Sequence, residues 1–293
     1  MKPEGYSIKD LETLSGIKAH TIRIWEKRYG LLNPERTDTN IRYYTDNDLK
    51  HILNVAFLVK GGFKISKVAK WGQNQIKETV LGVSKSKSSE EGYIDRLMLA
   101  VVNFDNEEFH KLLTEIQAHY SLEEMVYKVV FSLFERIGTY WQVGSIFPAQ
   151  EHYITHLIRQ KLIAEIDKTG INNTRGQTML FFLPENEMHE ISLLFYSYLA
   201  HKSGVNVIYL GQFVPFNDLQ KLQTHITIDF VFTAFINSWS KEDLEDYLME
   251  LKGLFQKQKI FITGGQVNTL NPELPRNVKT VKDYKEFNKY VGT

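Results

Sequence analysis

From Arg175 onward, short apolar runs alternate with segments of helical periodicity, and no other feature of the chain limits its fold as tightly. The runs at 178–183, 206–210, 229–233, 259–263 and 278–281 have strand length, and helical patterns at 189–203, 216–224, 241–255 and 283–290 separate them. A strand that is apolar on both faces belongs inside a parallel sheet, whose crossover helices cover both sides. Residues 175–293 are therefore predicted to form an α/β domain, a doubly wound parallel sheet of the flavodoxin-like (Rossmann-type) kind. Such sheets take their ligands beyond the carboxyl ends of the strands, here the loops 184–190, 211–215, 234–240 and 264–267. The first of them, Pro184-Glu185-Asn186-Glu187-Met188-His189-Glu190, sets an imidazole at that edge with a carboxylate two residues before it. An amphipathic helix is expected to start directly after it.

Composition narrows the function. The 293 residues include no cysteine, which excludes disulfides, thiolate zinc sites and cysteine nucleophiles and fits a cytoplasmic protein. No run approaches the roughly 20 apolar residues of a membrane span, and the start Met1-Lys2-Pro3-Glu4-Gly5-Tyr6 lacks the apolar core of a secretion signal. The net charge of zero hides an asymmetry: residues 1–80 carry 14 Lys/Arg against 9 Asp/Glu, and the remainder 21 against 26. A basic front end on an acidic body points to a polyanion partner for the front end alone. There is no phosphate-binding loop pattern, no Gly-x-Gly-x-x-Gly after the first strand and no His-Glu-x-x-His helix. The acidic pairs Glu90-Glu91 and Glu123-Glu124 read as solvated charge. No catalytic residue is assigned, so an enzyme is not expected.

The basic front end, residues 1–75, reads as two short helices around a turn at Ser15-Gly16, with Ser7 and Asp10 capping the first. The second helix, 18–29, buries Ile22 and Trp25 and presents His20, Thr21, Arg23, Lys27 and Arg28, side chains that bond phosphates and base edges. Two short strands around a polar tip follow, a wing bearing Arg36, Asn40, Arg42 and Tyr43. The aspartate-rich segment 45–48 then caps a helix from 49 to 60. The runs Tyr6-Ser7-Ile8, Thr21-Ile22-Arg23-Ile24-Trp25-Glu26-Lys27-Arg28-Tyr29-Gly30-Leu31 and Asn40-Ile41-Arg42-Tyr43-Tyr44 resemble the MerR family of winged-helix transcription regulators. The resemblance implies an all-α winged helix-turn-helix whose second helix enters the major groove of double-stranded operator DNA. A homodimer or higher oligomer is expected, since one such module reads few bases.

Residues 76–91, with Ser84-Lys85-Ser86-Lys87-Ser88-Ser89, read as a polar linker. Residues 92–170 carry four apolar stripes: 94/97/98/101/102, 109/112/113/116, 125/129/133/137 and 154/157/158/162/163. They predict a four-helix bundle. Between the third and fourth stripes, Trp141 is followed after nine residues by Glu151-His152. That pattern is similar to the cap of the cobalamin-dependent photoreceptor branch of MerR regulators, the CarH and LitR group. The resemblance implies that Trp141, Glu151 and His152 face the upper ligand of the cobalt.

The sheet in turn resembles the cobalamin-binding domain shared by methionine synthase, the B12 mutases and that same group. An acidic residue, any residue and His stand in its first loop, matched by Glu187-Met188-His189. The resemblance implies His189 as lower axial ligand of cobalt, Glu187 as its carboxylate partner, and Thr233, Gly264 and Gly265 beside a slot for the nucleotide tail. Ser192 departs from the family, where glycine is expected; its β-carbon and hydroxyl either narrow that slot or are accommodated by a small shift, and Phe235 and Trp239 add bulk that can fill part of it. Three readings follow: a regulator that senses adenosylcobalamin, with light as the signal and self-assembly as the output; a regulator whose cofactor-free sensor serves dimerisation or an antagonist protein; and a corrinoid carrier or methyltransferase subunit.

Overall fold

The computed structural model describes residues 5–36, 40, 42–76, 79, 90–142, 148–170 and 174–292. Two compact units divide the chain inside one helix, between Ile154 and Thr155, whereas the sequence pattern put a boundary at 170–175.

In the first unit, α1 (Ile8–Ser15) and α2 (Ala19–Tyr29) are joined through Gly16, whose φ of 68° is left-handed and costs glycine nothing. Ser7 and Asp10 close the expected capping box. Leu11, Leu14, Ile22 and Trp25 are buried together with Leu49, Ile52 and Val55 of α3 (Asp46–Lys60). The wing is an antiparallel pair, β1 (Glu35–Arg36) and β2 (Arg42–Tyr43), with Glu35 opposite Tyr43. Its expected tip at Thr37, Asp38 and Thr39, and Ile41, lie outside the described residues. Tyr6 and Tyr44 exchange backbone hydrogen bonds of 2.8 and 2.9 Å, which tie the start of the chain to the wing. Thr45 and Asp48 form a second capping box at the start of α3, and α4 (Ile65–Val68) follows. Ile76 is buried in the same core, which therefore reaches past residue 75; most of the expected linker, 80–89, lies outside the described residues.

Helices α5 (Glu90–Val102), α6 (Asn106–Gln117), α7 (Leu122–Glu124), α8 (Phe131–Gln142) and α9 (Pro148–Thr169) come next. The expected stripes are buried except at Ile163, 46% exposed, which lies one step round the helix from buried Leu162. Between α7 and α8 the chain is π-helical from Met125 to Val130, which periodicity did not predict. The spacing of the buried Met125, Val129, Leu133 and Ile137 explains it. Residues four apart drift by about 40° per step on an α-helix, and the wider π-turn takes part of that drift back. The acidic pairs are not simply solvated. Glu90 and Glu91 open α5 and pair with Lys128 at 3.2 Å and Arg136 at 2.7 Å. Glu124 closes a capping box with Ser121, and Glu123 is buried.

The second unit contains a five-stranded parallel sheet in the order β4-β3-β5-β6-β7: β3 (Thr178–Pro184), β4 (Asn206–Val214), β5 (Phe230–Ala234), β6 (Lys259–Thr263) and β7 (Val278–Thr280). This is the flavodoxin-like order, in which β3, the first of these strands in the chain, lies between β4 and β5. On one face Leu180, Phe182, Val231, Ile260 and Ile262 pack under α11 (Phe216–Gln223) and α12 (Lys241–Leu254). On the other, Phe181 stacks on Phe232 at 5.2 Å, and Phe232 meets Tyr196 of α10 (Ile191–Lys202) and Phe287 of α14 (Tyr284–Val291).

Three expectations need correction. The helix after the first strand starts at Ile191, and it is buried nearly all round rather than amphipathic. Residues 211–214 continue edge strand β4, because register shifts opposite Phe182 and Pro184 absorb the left-handed Gly211 and Phe213 that looked like a strand end. A short helix, α13 (Gly265–Leu270), occupies the expected loop 264–267.

Candidate functional site

Beyond Pro184 the chain leaves the sheet and turns through Asn186, whose φ of 67° asparagine tolerates better than most residues. The Asn237 side-chain amide donates to the Asn186 carbonyl. Glu187 then folds back under the loop that follows β5 and is 1% exposed. Its Oε2 accepts the backbone N–H groups of Ile236 and Asn237, each at 2.7 Å. Its Oε1 accepts the backbone N–H of His189 at 3.0 Å and lies 2.7 Å from His189 Nδ1. Burial pushes this carboxyl up, but the hydrogen bonds from His189, Asn237 and Ile236 outweigh it and hold the group below the usual carboxylate range. A carboxylate only accepts, so Nδ1 carries the ring proton and Nε2 the lone pair. The His189 side chain is 46% exposed, and the arrangement presents an oriented imidazole at the carboxyl edge of the sheet.

The hydroxyls of Ser192, on the first turn of α10, and of Thr233, on β5, are buried and have no hydrogen-bond partner among the described residues. Thr233 alternates with Phe232 and so shares a sheet face with Val231. The glycines differ from each other. A β-carbon on Gly264 would meet the Phe235 carbonyl oxygen at 2.1 Å, and its φ is 118°; one on Gly265 would meet nothing within 4 Å. The sheet itself thus demands Gly264, while Gly265 faces open space. Phe235 and Trp239 do not stand free as bulk in a slot. Their rings pack on each other at 5.4 Å and on Tyr247 of α12 at 5.9 and 5.5 Å. Orphaned hydroxyls and open space at Gly265 fit a ligand with polar atoms along its length, and an ordered imidazole fits a metal that brings its other ligands with it.

In the other compact unit, Glu151 and His152 sit on the first turns of α9, half-buried and exposed respectively. Trp141 lies in the last turn of α8, and its side chain is outside the described residues. A cavity of about 450 Å³ in this unit is lined by Asn47, Lys50 and His51 of α3 and by Arg96, Asn103 and Glu108. Its lining mixes amides with charged and apolar side chains, and its buried Arg96 is already paired with Glu108 and Glu115 at 3.4 and 2.9 Å.

The residues expected to contact DNA differ in exposure and in their partners. His20, Arg23, Lys27 and Arg28 are exposed along α2 and Thr21 is half-buried beside them, while Ile22 and Trp25 on the opposite side hold the helix to the core. On the wing, Arg36 donates to Asn40 Oδ1 at 2.6 Å, with Asn40 at a left-handed φ of 63°. Arg42 lies 3.8 Å from Glu26, which also accepts from the Tyr44 hydroxyl. The Tyr43 hydroxyl donates to Glu35 across the pair of strands. Arg42 and Tyr43 are thus partly engaged within the domain, and Arg23, Lys27 and Arg28 carry the more open charge.

Residues 6–75 match the family described as MerR HTH family regulatory protein, and residues 93–164 match the one described as B12 binding domain. The HTH-type transcriptional repressor CarH of Myxococcus xanthus is 30% identical over 258 residues, 86% of each chain. The repressor CarA of the same organism is 24% identical over 243 residues, 82% of this chain and 80% of its own. Among solved structures, the monomethylamine corrinoid protein of Methanosarcina barkeri aligns with a TM-score of 0.53 at 17% identity over 69% of this chain and 98% of that one, which shows a shared fold. Among the described residues no helix is long and apolar enough to cross a membrane. The chain belongs to the MerR family of DNA-binding transcription regulators, carries a B12-binding module behind its helix-turn-helix, and is a regulator rather than an enzyme.

Proposed function

We propose that this regulator senses adenosylcobalamin in the cytoplasm and converts the state of that cofactor into self-assembly, as a dimer or tetramer, and into operator binding. The Glu187–His189 pair carries the reading: a buried carboxylate, fixed by two backbone N–H groups, orients an exposed imidazole at the ligand edge of the sheet. In this role His189 would hold the cobalt through Nε2, and Glu187 would set its tautomer. Ser192, Thr233 and Gly265 border the nucleotide tail, and Gly264 keeps the loop beside it in place. Trp141, Glu151 and His152 are assigned to the upper side of the cofactor on the strength of the resemblance, with the helices 92–170 as a four-helix cap. When bound, the cofactor supplies a cobalt–carbon bond that light cleaves. A coupling of only ~1–3 kcal/mol between cofactor state and assembly changes occupancy severalfold or more.

The test is the absorption spectrum of the purified chain with adenosylcobalamin, before and after illumination, beside His189→Ala. Uptake by the wild type, weakened in the variant and altered by light, is expected. Absence of spectral uptake at high cofactor concentration rejects the reading.

A second reading has one observation in its favour: Ser192 places a β-carbon and a hydroxyl where the related cobalamin domains have glycine. In that reading the module binds no corrinoid and serves dimerisation or an antagonist protein. Operator binding that is equal with and without cobalamin, in light and dark, selects it. Nothing in the structure favours a corrinoid carrier, which would show no salt-dependent shift of operator DNA.

A further inference from the structure

We infer that Glu190 is a positioning residue for His189, holding the imidazole loop to helix α9 through Arg159 and to edge strand β4 through Tyr209. The inference rests on the reading of His189 as a metal ligand.

The five residues 186–190 are tied on two sides. Asn186 and Glu187 are bonded to the loop after β5, through Asn237 and Ile236. Met188 and Glu190 are bonded toward β4: the Gln212 side-chain amide donates to the Met188 carbonyl, and the Tyr209 hydroxyl donates to Glu190 Oε1 at 2.9 Å. Glu190 Oε2 also lies 2.7 Å from Arg159 Nε. Neither of those two atoms has an aligned hydrogen bond, so the contact is one of charge on charge. The Glu190 side chain is 6% exposed and the Arg159 side chain 42%. Arg159 comes from α9, which precedes the strands and loops of the sheet in the chain.

A buried carboxylate next to an exposed imidazole has a physical consequence. Glu190 stays in place only while its charge is matched, since an unpaired buried carboxylate is far costlier than an exposed one. His189 is one peptide bond away and exposed. Glu187 holds its ring at Nδ1, and its backbone runs between two anchored carboxylates, Glu187 before it and Glu190 after it. Gly211 adds to the fit: a β-carbon there would lie 3.5 Å from Glu190 Oε1, so the bulged part of β4 closes over the carboxylate.

The test uses the full chain in two arms, with Glu190→Gln and Arg159→Met. Glu190→Gln keeps shape and can still accept from Tyr209, so it guards against a variant that merely fails to fold. In the first arm, without cofactor, nitrogen NMR of His189, assigned by comparison with His189→Gln, reads the tautomer. The wild type is expected to show protonated Nδ1, and Glu190→Gln and Arg159→Met an averaged ring, with melting temperature nearly unchanged for Glu190→Gln. An unchanged His189 tautomer in both variants overturns the inference, whatever happens to stability. In the second arm, the same proteins with reduced cobalamin are examined by electron paramagnetic resonance for nitrogen coupling to cobalt. Weaker coupling in Glu190→Gln supports the inference, and wild-type coupling in it counts against. If the wild type takes up no cobalamin while the first arm goes as expected, the cofactor reading falls and the positioning role stands.

Discussion

Gly264 lies so close to Phe235 that a β-carbon on it would come within 2.1 Å of the Phe235 carbonyl oxygen, while the next residue, Gly265, faces open space. The double glycine is thus two different requirements side by side. Gly264→Ala is expected to destabilise the sheet unit by about 1–3 kcal/mol, from a left-handed φ and a backbone clash together. Gly265→Ala, at the first position of α13, is expected to leave stability unchanged or slightly raised, and to weaken corrinoid retention if the tail runs past it. Urea unfolding and cofactor retention on a desalting column separate the two effects.

His189→Ala is expected to change stability by less than about 0.5 kcal/mol, because the side chain is nearly half exposed. Glu187→Ala leaves the Ile236 and Asn237 N–H groups without their acceptor and is expected to cost about 1–3 kcal/mol. Both variants are expected to lose the histidine-ligated corrinoid spectrum. Thermal melts beside absorption spectra distinguish a lost ligand from a lost scaffold.

Ser192→Ala removes a buried hydroxyl that has no hydrogen-bond partner among the described residues. The variant is expected to be as stable as the wild type or slightly more so. If the hydroxyl serves the bound tail, retention falls about fivefold, the value of one hydrogen bond near 1 kcal/mol. Equilibrium dialysis with cobalamin measures it, and tighter binding by Ser192→Gly would instead mark the serine as an obstruction.

Arg23→Ala and Arg36→Ala are each expected to weaken operator binding and to lower the slope of log affinity against log salt by about 1, as for the loss of one phosphate contact. Stability is expected to change little, since both side chains are exposed and Arg36 bonds only to the exposed Asn40 among the contacts given above. A gel-shift series over salt concentration checks the slope.

His51 on α3 is buried enough that its imidazole is held below the ordinary histidine value, with nearby Asp48 opposing the shift only in part. The unfolded chain therefore binds a proton more readily than the folded one. Stability from this group is complete above about pH 6.5 and is lost as pH falls from there through the lowered folded value. The melting temperature of His51→Gln is expected to fall less between pH 7.5 and 5.5 than that of the wild type.

Local patterns in the chain determined a great deal. The capping boxes at the starts of α1 and α3, the wing and the buried faces of α1–α3 were legible because each depends on residues within a few positions of one another. The five strands were legible because a sheet covered on both faces needs apolar runs. The Glu187–His189 pair was legible as spacing, two residues apart on one loop. Tertiary structure decided the rest. The π-helical stretch from Met125 to Val130, the extension of β4 through Gly211 and Phe213, and the burial of α10 on all sides each depend on what packs against the element. Most of all, nothing near His189 in the chain announces Arg159 or Tyr209, thirty and twenty residues distant, and no spacing rule links them. A carboxylate's partner is chosen by which charge the fold brings within reach, and only the folded chain makes that choice.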